Sequence, residues 1–71
     1  MDNNLVMIHV RFAPDGSVTQ IGERPPSTAA QEWYDRLSDK AGMSYQALSG
    51  GRGVFRLQRS DVEALKTAAV N

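Results

Sequence analysis

The chain has 71 residues, no cysteine, and eight basic against eight acidic side chains, so its formal net charge is zero. That length allows one domain with a thin core, and the lack of cysteine excludes a disulfide framework or a thiolate metal site and fits a reducing compartment. No apolar run approaches the roughly 20 residues of a membrane helix, and Met1–Asn4 has no basic n-region of signal-peptide type, so the expectation is a cytoplasmic protein that makes no membrane contact.

Residues 1–4 are expected to be disordered. Leu5–Phe12 then gives the clearest strand signal: Val6, Ile8, Val10 and Phe12 are apolar and share one parity, while His9 and Arg11 fall on the other. Ala13-Pro14-Asp15-Gly16 reads as a hairpin loop, with proline fixing φ early and Gly16 accepting a left-handed conformation. The second strand, Ser17–Gly22, has Val18 and Ile21 on opposite parity, which predicts a bulge or an early end. Glu23-Arg24-Pro25-Pro26 is a stiff connector.

A first helix follows. Thr28-Ala29-Ala30-Gln31 has capping-box spacing, and Ala29, Trp33, Leu37 and Ala41 form one apolar stripe with Tyr34 at its edge. Glu32 and Arg36 are spaced as an i,i+4 pair, and Gly42 is placed to end the helix in the left-handed region. Met43–Leu48 and Gly53–Gln58 then form a second hairpin pattern around Ser49-Gly50-Gly51-Arg52. Ser60-Asp61-Val62-Glu63 reads as another capping box, opening a second helix with a narrow stripe of Val62, Leu65, Ala68 and Ala69.

The pattern predicts one α+β domain over residues 1–71. It is a two-layer ββαββα arrangement, a four-stranded antiparallel sheet with two helices packed on one face. Two ββα-like halves, 5–42 and 43–71, follow the same grammar. A ferredoxin-like order would need a helix between the first two strands, where there is a turn.

Few residues announce chemistry. One histidine and no cysteine give no nucleophile–base motif, so no catalytic residue is assigned and the chain is read as not an enzyme. Scattered carboxylates give no metal-ligand spacing, and no cofactor or metal is expected. Gly50-Gly51-Arg52-Gly53 formally matches the GXXG of KH nucleic-acid-binding domains. It lies between two strand patterns rather than two helices, so it reads as a hairpin tip. As a phosphate loop it lacks the following Lys-Ser/Thr.

Charge is unevenly spread: residues 1–39 carry three arginines against six carboxylates, and residues 40–71 five basic residues against two. The candidate binding surface is therefore an arginine group on the second hairpin, Arg52, Arg56 and Arg59, with Tyr45 as a stacking neighbour. His9 and Arg11 are expected on the same outer sheet face. The leading expectation is a small non-enzymatic interaction module that binds a protein partner or itself as a homo-dimer. Nucleic-acid binding through the arginines is the alternative, opposed by the neutral charge of the whole chain.

Overall fold

The computed structural model describes residues 5–70, so the segment 1–4 lies outside the described residues. Its elements are β1 (Leu5–Phe12), β2 (Val18–Ile21), α1 (Ala30–Ala41), a 3-10 turn (Gly42–Ser44), β3 (Tyr45–Leu48), β4 (Arg52–Gln58) and α2 (Arg59–Val70). The strands form one antiparallel sheet in the order β2-β1-β4-β3. Ile8 and Val10 of β1, Val18 of β2, and Phe55 and Leu57 of β4 are buried in one cluster with Trp33 and Leu37 of α1 and Val62 of α2. Both helices therefore cover the same sheet face, and the expected α+β, ββαββα architecture is found.

The sheet is built around its two long strands. β1 and β4 pair over seven residues, from Leu5↔Gln58 to Arg11↔Arg52. The four-residue strands β2 and β3 lie at the edges. The inner strand is the first of the first hairpin but the second of the other. The two halves thus repeat in element order without occupying equivalent places in the sheet.

The first hairpin closes as its residues require. Gly16 sits at φ +90, its amide donates to Ala13 O at 2.9 Å, and Ala13 N donates to Ser17 O at 2.8 Å. Asp15 Oδ1 accepts from both the amide (2.9 Å) and the hydroxyl (2.7 Å) of Ser17, which holds its carboxyl below the usual range. Between Arg11 and Phe12 the register slips by one residue on β2. This is the bulge that the opposed parity of Val18 and Ile21 demands. At the other tip Gly50 (φ +79) and Gly51 (φ +72) both take the left-handed region, and Gly51 O accepts from Phe12 N at 2.9 Å, carrying the β1–β4 ladder into the loop. The GXXG sequence is accounted for as this turn.

Four local expectations fail. Thr28 does not cap α1: the N-cap is Ala29, in extended conformation and without a side-chain cap bond. Thr28 is instead buried in the connector, with its amide bonded to Pro25 O and its carbonyl to Arg24 Nη1. Gly42 is right-handed (φ −59), because the chain tightens into the 3-10 turn before β3 rather than reversing at a left-handed cap. Ser60 lies inside α2, which starts one residue earlier. Glu32 and Arg36 form no ion pair; the turn of α1 beside them is bridged by Gln31 Nε2 donating to Asp35 Oδ1 at 3.2 Å. By contrast Trp33 and Leu37 are fully buried as their stripe predicts, and the Trp33 indole N–H donates to Gly22 O at 3.0 Å.

Candidate functional site: the uncovered face of the sheet

The second sheet face carries no helix, and strand alternation decides what it displays. Leu5, Met7, His9 and Arg11 point out from β1. Across the central seam they face Gln58, Arg56, Val54 and Arg52 of β4. Gln20 of β2 is opposite Arg11, and Gln46 of β3 is opposite Val54. The four strands contain no Asp, Glu or Lys at all. Their only formal charges are Arg11, Arg52 and Arg56, all exposed and all on this face.

Val54 is 1 % exposed although it lies on the helix-free side. Its neighbours explain this. His9 and Gln46 flank it on the adjacent strands, and Arg52 and Arg56 lie two residues away on its own. Long side chains whose apolar stems lie flat while their heads reach water cover such a residue. Arg56 is further fixed by Nη1 donating to Gln46 Oε1 at 2.5 Å, and Arg52 by Nε donating to Ser49 O at 3.2 Å. The two guanidinium groups are thus partly preorganised.

Backbone polarity shows how close Arg11 and Arg52 come. His9 O accepts from Gly22 N, and Arg11 O accepts from the Thr19 hydroxyl, whereas Phe12 N donates to Gly51 O. Odd-numbered residues of β1 therefore turn their backbone polar groups towards β2 and even-numbered ones towards β4. Arg11↔Arg52 is then a non-hydrogen-bonded pair of the β1–β4 ladder, the type in which Cα atoms lie about 4.5 Å apart and side chains are closest. Two like charges directly opposite destabilise a sheet, and no described carboxylate bridges them.

Towards β2 the face deepens into a groove of about 740 Å³, lined by Met7, His9, Arg11, Gln20, Gly22 and Arg24 among others. It holds two arginines and a histidine, and among the described residues no carboxylate lines it. Arg24, Met7 and Gln20 were not among the residues expected here. Arg24 sits just before two prolines and so reads from sequence as connector.

Two of the expected site residues lie elsewhere. Tyr45 faces the helices, not the arginines: its ring packs on Phe55 (centroids 4.9 Å) and Tyr34 (6.0 Å), and burial, then the neighbouring Tyr34, pushes its hydroxyl pKa up. The cause is register. Tyr45 pairs with Phe55 on the core face, and its ring fills the space over Gly53, where a Cβ would lie 2.6 Å from two ring carbons. Arg59 has left the sheet altogether. As the first residue of α2 it donates from Nη1 to Glu23 (3.0 Å) and to Glu63 (3.1 Å). Lys66 Nζ joins the same Glu23 at 2.6 Å. The cluster of Glu23, Arg59, Glu63 and Lys66 ties the connector to α2 and holds the Glu23 carboxyl below its ordinary value, chiefly through Arg59 and then Lys66.

Among the described residues no group of three His, Cys, Asp or Glu is placed to hold a metal ion, and no helix is long and apolar enough to cross a membrane. Comparison with protein-family models, curated proteins and solved structures finds no match to this chain.

Proposed function

We propose that this protein is a small non-enzymatic interaction module that docks an acidic surface of a partner protein on the uncovered face of its sheet. One observation carries the reading: every formal charge in the strands is an arginine, and all three project from the same face, two of them directly opposed. Such an arrangement costs stability in the free protein and is relieved by an anion between the guanidinium groups. The exposed side chains of Leu5 and Met7 at one end of the face supply apolar contact area beside the basic part. Arginine with methionine suits a protein interface better than a nucleic-acid one, because among the described residues no Phe, Tyr or Trp lies on this face and His9 is its one aromatic ring. A cytoplasmic setting accords with the absence of cysteine.

The test compares the native chain with a variant carrying Arg11→Gln, Arg52→Gln and Arg56→Gln. Poly-glutamate, duplex DNA and single-stranded RNA serve as probes over a range of salt, with light scattering to record assembly. The native chain is expected to bind poly-glutamate and the triple variant to lose that binding. DNA or RNA binding that is tighter than poly-glutamate binding, with a slope of log affinity on log salt near −0.9 per phosphate for the duplex, would replace the protein partner with a nucleic acid. Self-association lost in the triple variant would make the partner a second copy.

A further inference from the structure

The two sides of β1 are not equally used. β4 pairs with it from Leu5 to Arg11, but β2 reaches only Val10–Phe12, with one further bond from Gly22 N to His9 O. By the alternation established above, the amide and carbonyl groups of Leu5 and Met7 point to the β2 side, beyond the end of β2. Among the described residues no strand pairs with them there.

The local cause lies one residue past Gly22. Glu23 is the one non-glycine residue at positive φ among those described, at +60. That turn takes the chain out of the sheet and towards α2, where Arg59 and Lys66 hold its carboxylate. A glutamate has no intrinsic reason to adopt this conformation, which crowds the Cβ of an L-residue; the two cations hold its side chain there. Beyond this strained, clamped residue the chain leaves the sheet, so the β2-side backbone groups of Leu5 and Met7 have no strand partner among the described residues.

The surroundings of this edge specify an occupant. Arg24, His9 and Arg11 stand around the groove, with no acidic lining residue among those described. Leu5 and Met7 are 53% and 46% exposed on the same side of the sheet. We infer that an extended acidic segment of a partner protein adds to β1 here as a further strand, in the line β2 would follow if it continued. Main-chain bonds to Leu5 and Met7 fix the segment, as in other strand-addition complexes. Its outward side chains alternate between carboxylates that reach Arg24 and Arg11 and apolar groups that lie against Met7 and Leu5. This inference rests on the proposed docking of an acidic protein surface and adds the conformation and position of the docked segment.

The experiment selects binders from a displayed library of eight-residue peptides whose alternate positions are limited to glutamate and apolar residues, then measures the best one against three forms of the full chain. Met7→Pro removes an edge donor while leaving the β1–β4 bonds, since the Met7 amide faces away from β4. Arg11→Gln combined with Arg24→Gln removes the charge. Amide exchange on the native chain reads the edge directly: without peptide the Met7 amide should exchange at least tenfold faster than that of Ile8, and peptide should slow it at least tenfold. Met7→Pro and the arginine variant should each weaken binding tenfold or more. If Met7→Pro does not fold, N-methylation of alternate peptide amides makes the same test from the other side. Binding lost with the arginines but untouched by Met7→Pro or N-methylation, with Met7 exchange unchanged, would place the partner flat on the sheet; strand addition is then wrong and the proposed function stands. A library without binders overturns the inference, and loss of poly-glutamate binding as well overturns both. Dimerisation abolished by Met7→Pro would assign the edge to a second copy.

Discussion

Replacing Arg11 with glutamate should make this protein more stable, and that outcome separates a binding face from an ordinary solvated one. Arg11 and Arg52 are opposite each other in the closest kind of cross-strand pair, and among the described residues the Arg11 side chain makes no hydrogen bond that the change would sacrifice. Like charges in such a pair destabilise, and opposite charges stabilise, by about 0.2–1 kcal/mol each. Arg11→Glu exchanges one for the other, so the expected gain is about 0.4–2 kcal/mol. For a domain of this size each kcal/mol moves Tm by about 4–8 °C, so the shift is on the order of 2–16 °C upward. Arg11→Gln should give about half of it. Thermal and urea unfolding at low and high salt would measure both variants, alongside Arg52→Glu and the double Arg11→Glu, Arg52→Glu chain. Because the effect is electrostatic and exposed, salt near 1 M, where the Debye length is about 3 Å, should remove most of it. The double variant restores a like-charge pair and should return towards the native value, unless the added acidic charge meets other cations. The reasoning is refuted if Arg11→Glu is neutral or destabilising at low salt: the guanidinium groups then splay apart in solution and the face carries no stored repulsion. A stabilised variant that no longer binds poly-glutamate would show stability and binding drawing on the same two side chains in opposite directions.

Three further outcomes follow from the packing and from the clamped glutamate. Trp33→Ala should cost about 3–5 kcal/mol, a large share of the total of about 4–11 kcal/mol expected for this length; a loss below about 1 kcal/mol in urea would contradict its complete burial. Gly53→Ala places a methyl group in the Tyr45 ring and should cost about 1–3 kcal/mol, with a changed near-ultraviolet dichroism as the Tyr34–Tyr45–Phe55 contacts rearrange. Glu23 has a folded pKa below its ordinary 4.5, so its contribution is fully present above that value and is lost as pH falls through the folded pKa. Glu23→Gln should therefore lower stability at neutral pH and flatten, though not abolish, the loss below about pH 4.5, since Asp15 is also depressed; an acid limb identical to that of the native chain would rule out the clamp.

Where side-chain period settles the question, the sequence was sufficient to read the structure. The two-residue period of β1 and β4 grouped His9 with Arg11 and Arg52 with Arg56, and the four-residue step through Trp33 and Leu37 placed the main core of α1. The bulge, too, was legible in the clash of parity between Val18 and Ile21. Long-range pairing was not. Tyr45 has the composition of a stacking partner for the arginines, but its face depends on which residue of β4 it meets, and a shift of one residue reverses the answer. Arg59 follows the β4 pattern in sequence yet begins a helix, where its partners lie 36 positions away at Glu23 and four away at Glu63. The positive φ of Glu23 had no local signal, and the cations that hold its side chain, Arg59 and Lys66, lie far along the chain. The open edge of β1, which depends on that turn, was invisible for the same reason.

Overall neutrality opposes nucleic-acid binding at the level of the whole chain, but the fold distributes the charges unevenly. The described carboxylates lie on the helices, at the tip of the first hairpin, or at Glu23 under two cations, while the strand arginines share the opposite face. A helix layer and a sheet are separated by about 10 Å, the spacing typical of packed layers, and the Debye length at physiological ionic strength is about 8 Å. A charged group approaching the uncovered face therefore meets three arginines at contact distance, whereas the helix carboxylates lie on the far side of the sheet and their field reaches it mainly around the domain through screening solvent. The sum over the whole chain is zero, but the field at the groove is that of its own lining. Lowering the salt lengthens the screening distance until the helix carboxylates are felt as well. Affinity for an acidic partner should therefore rise less steeply with dilution of salt than it would for an isolated triplet of arginines.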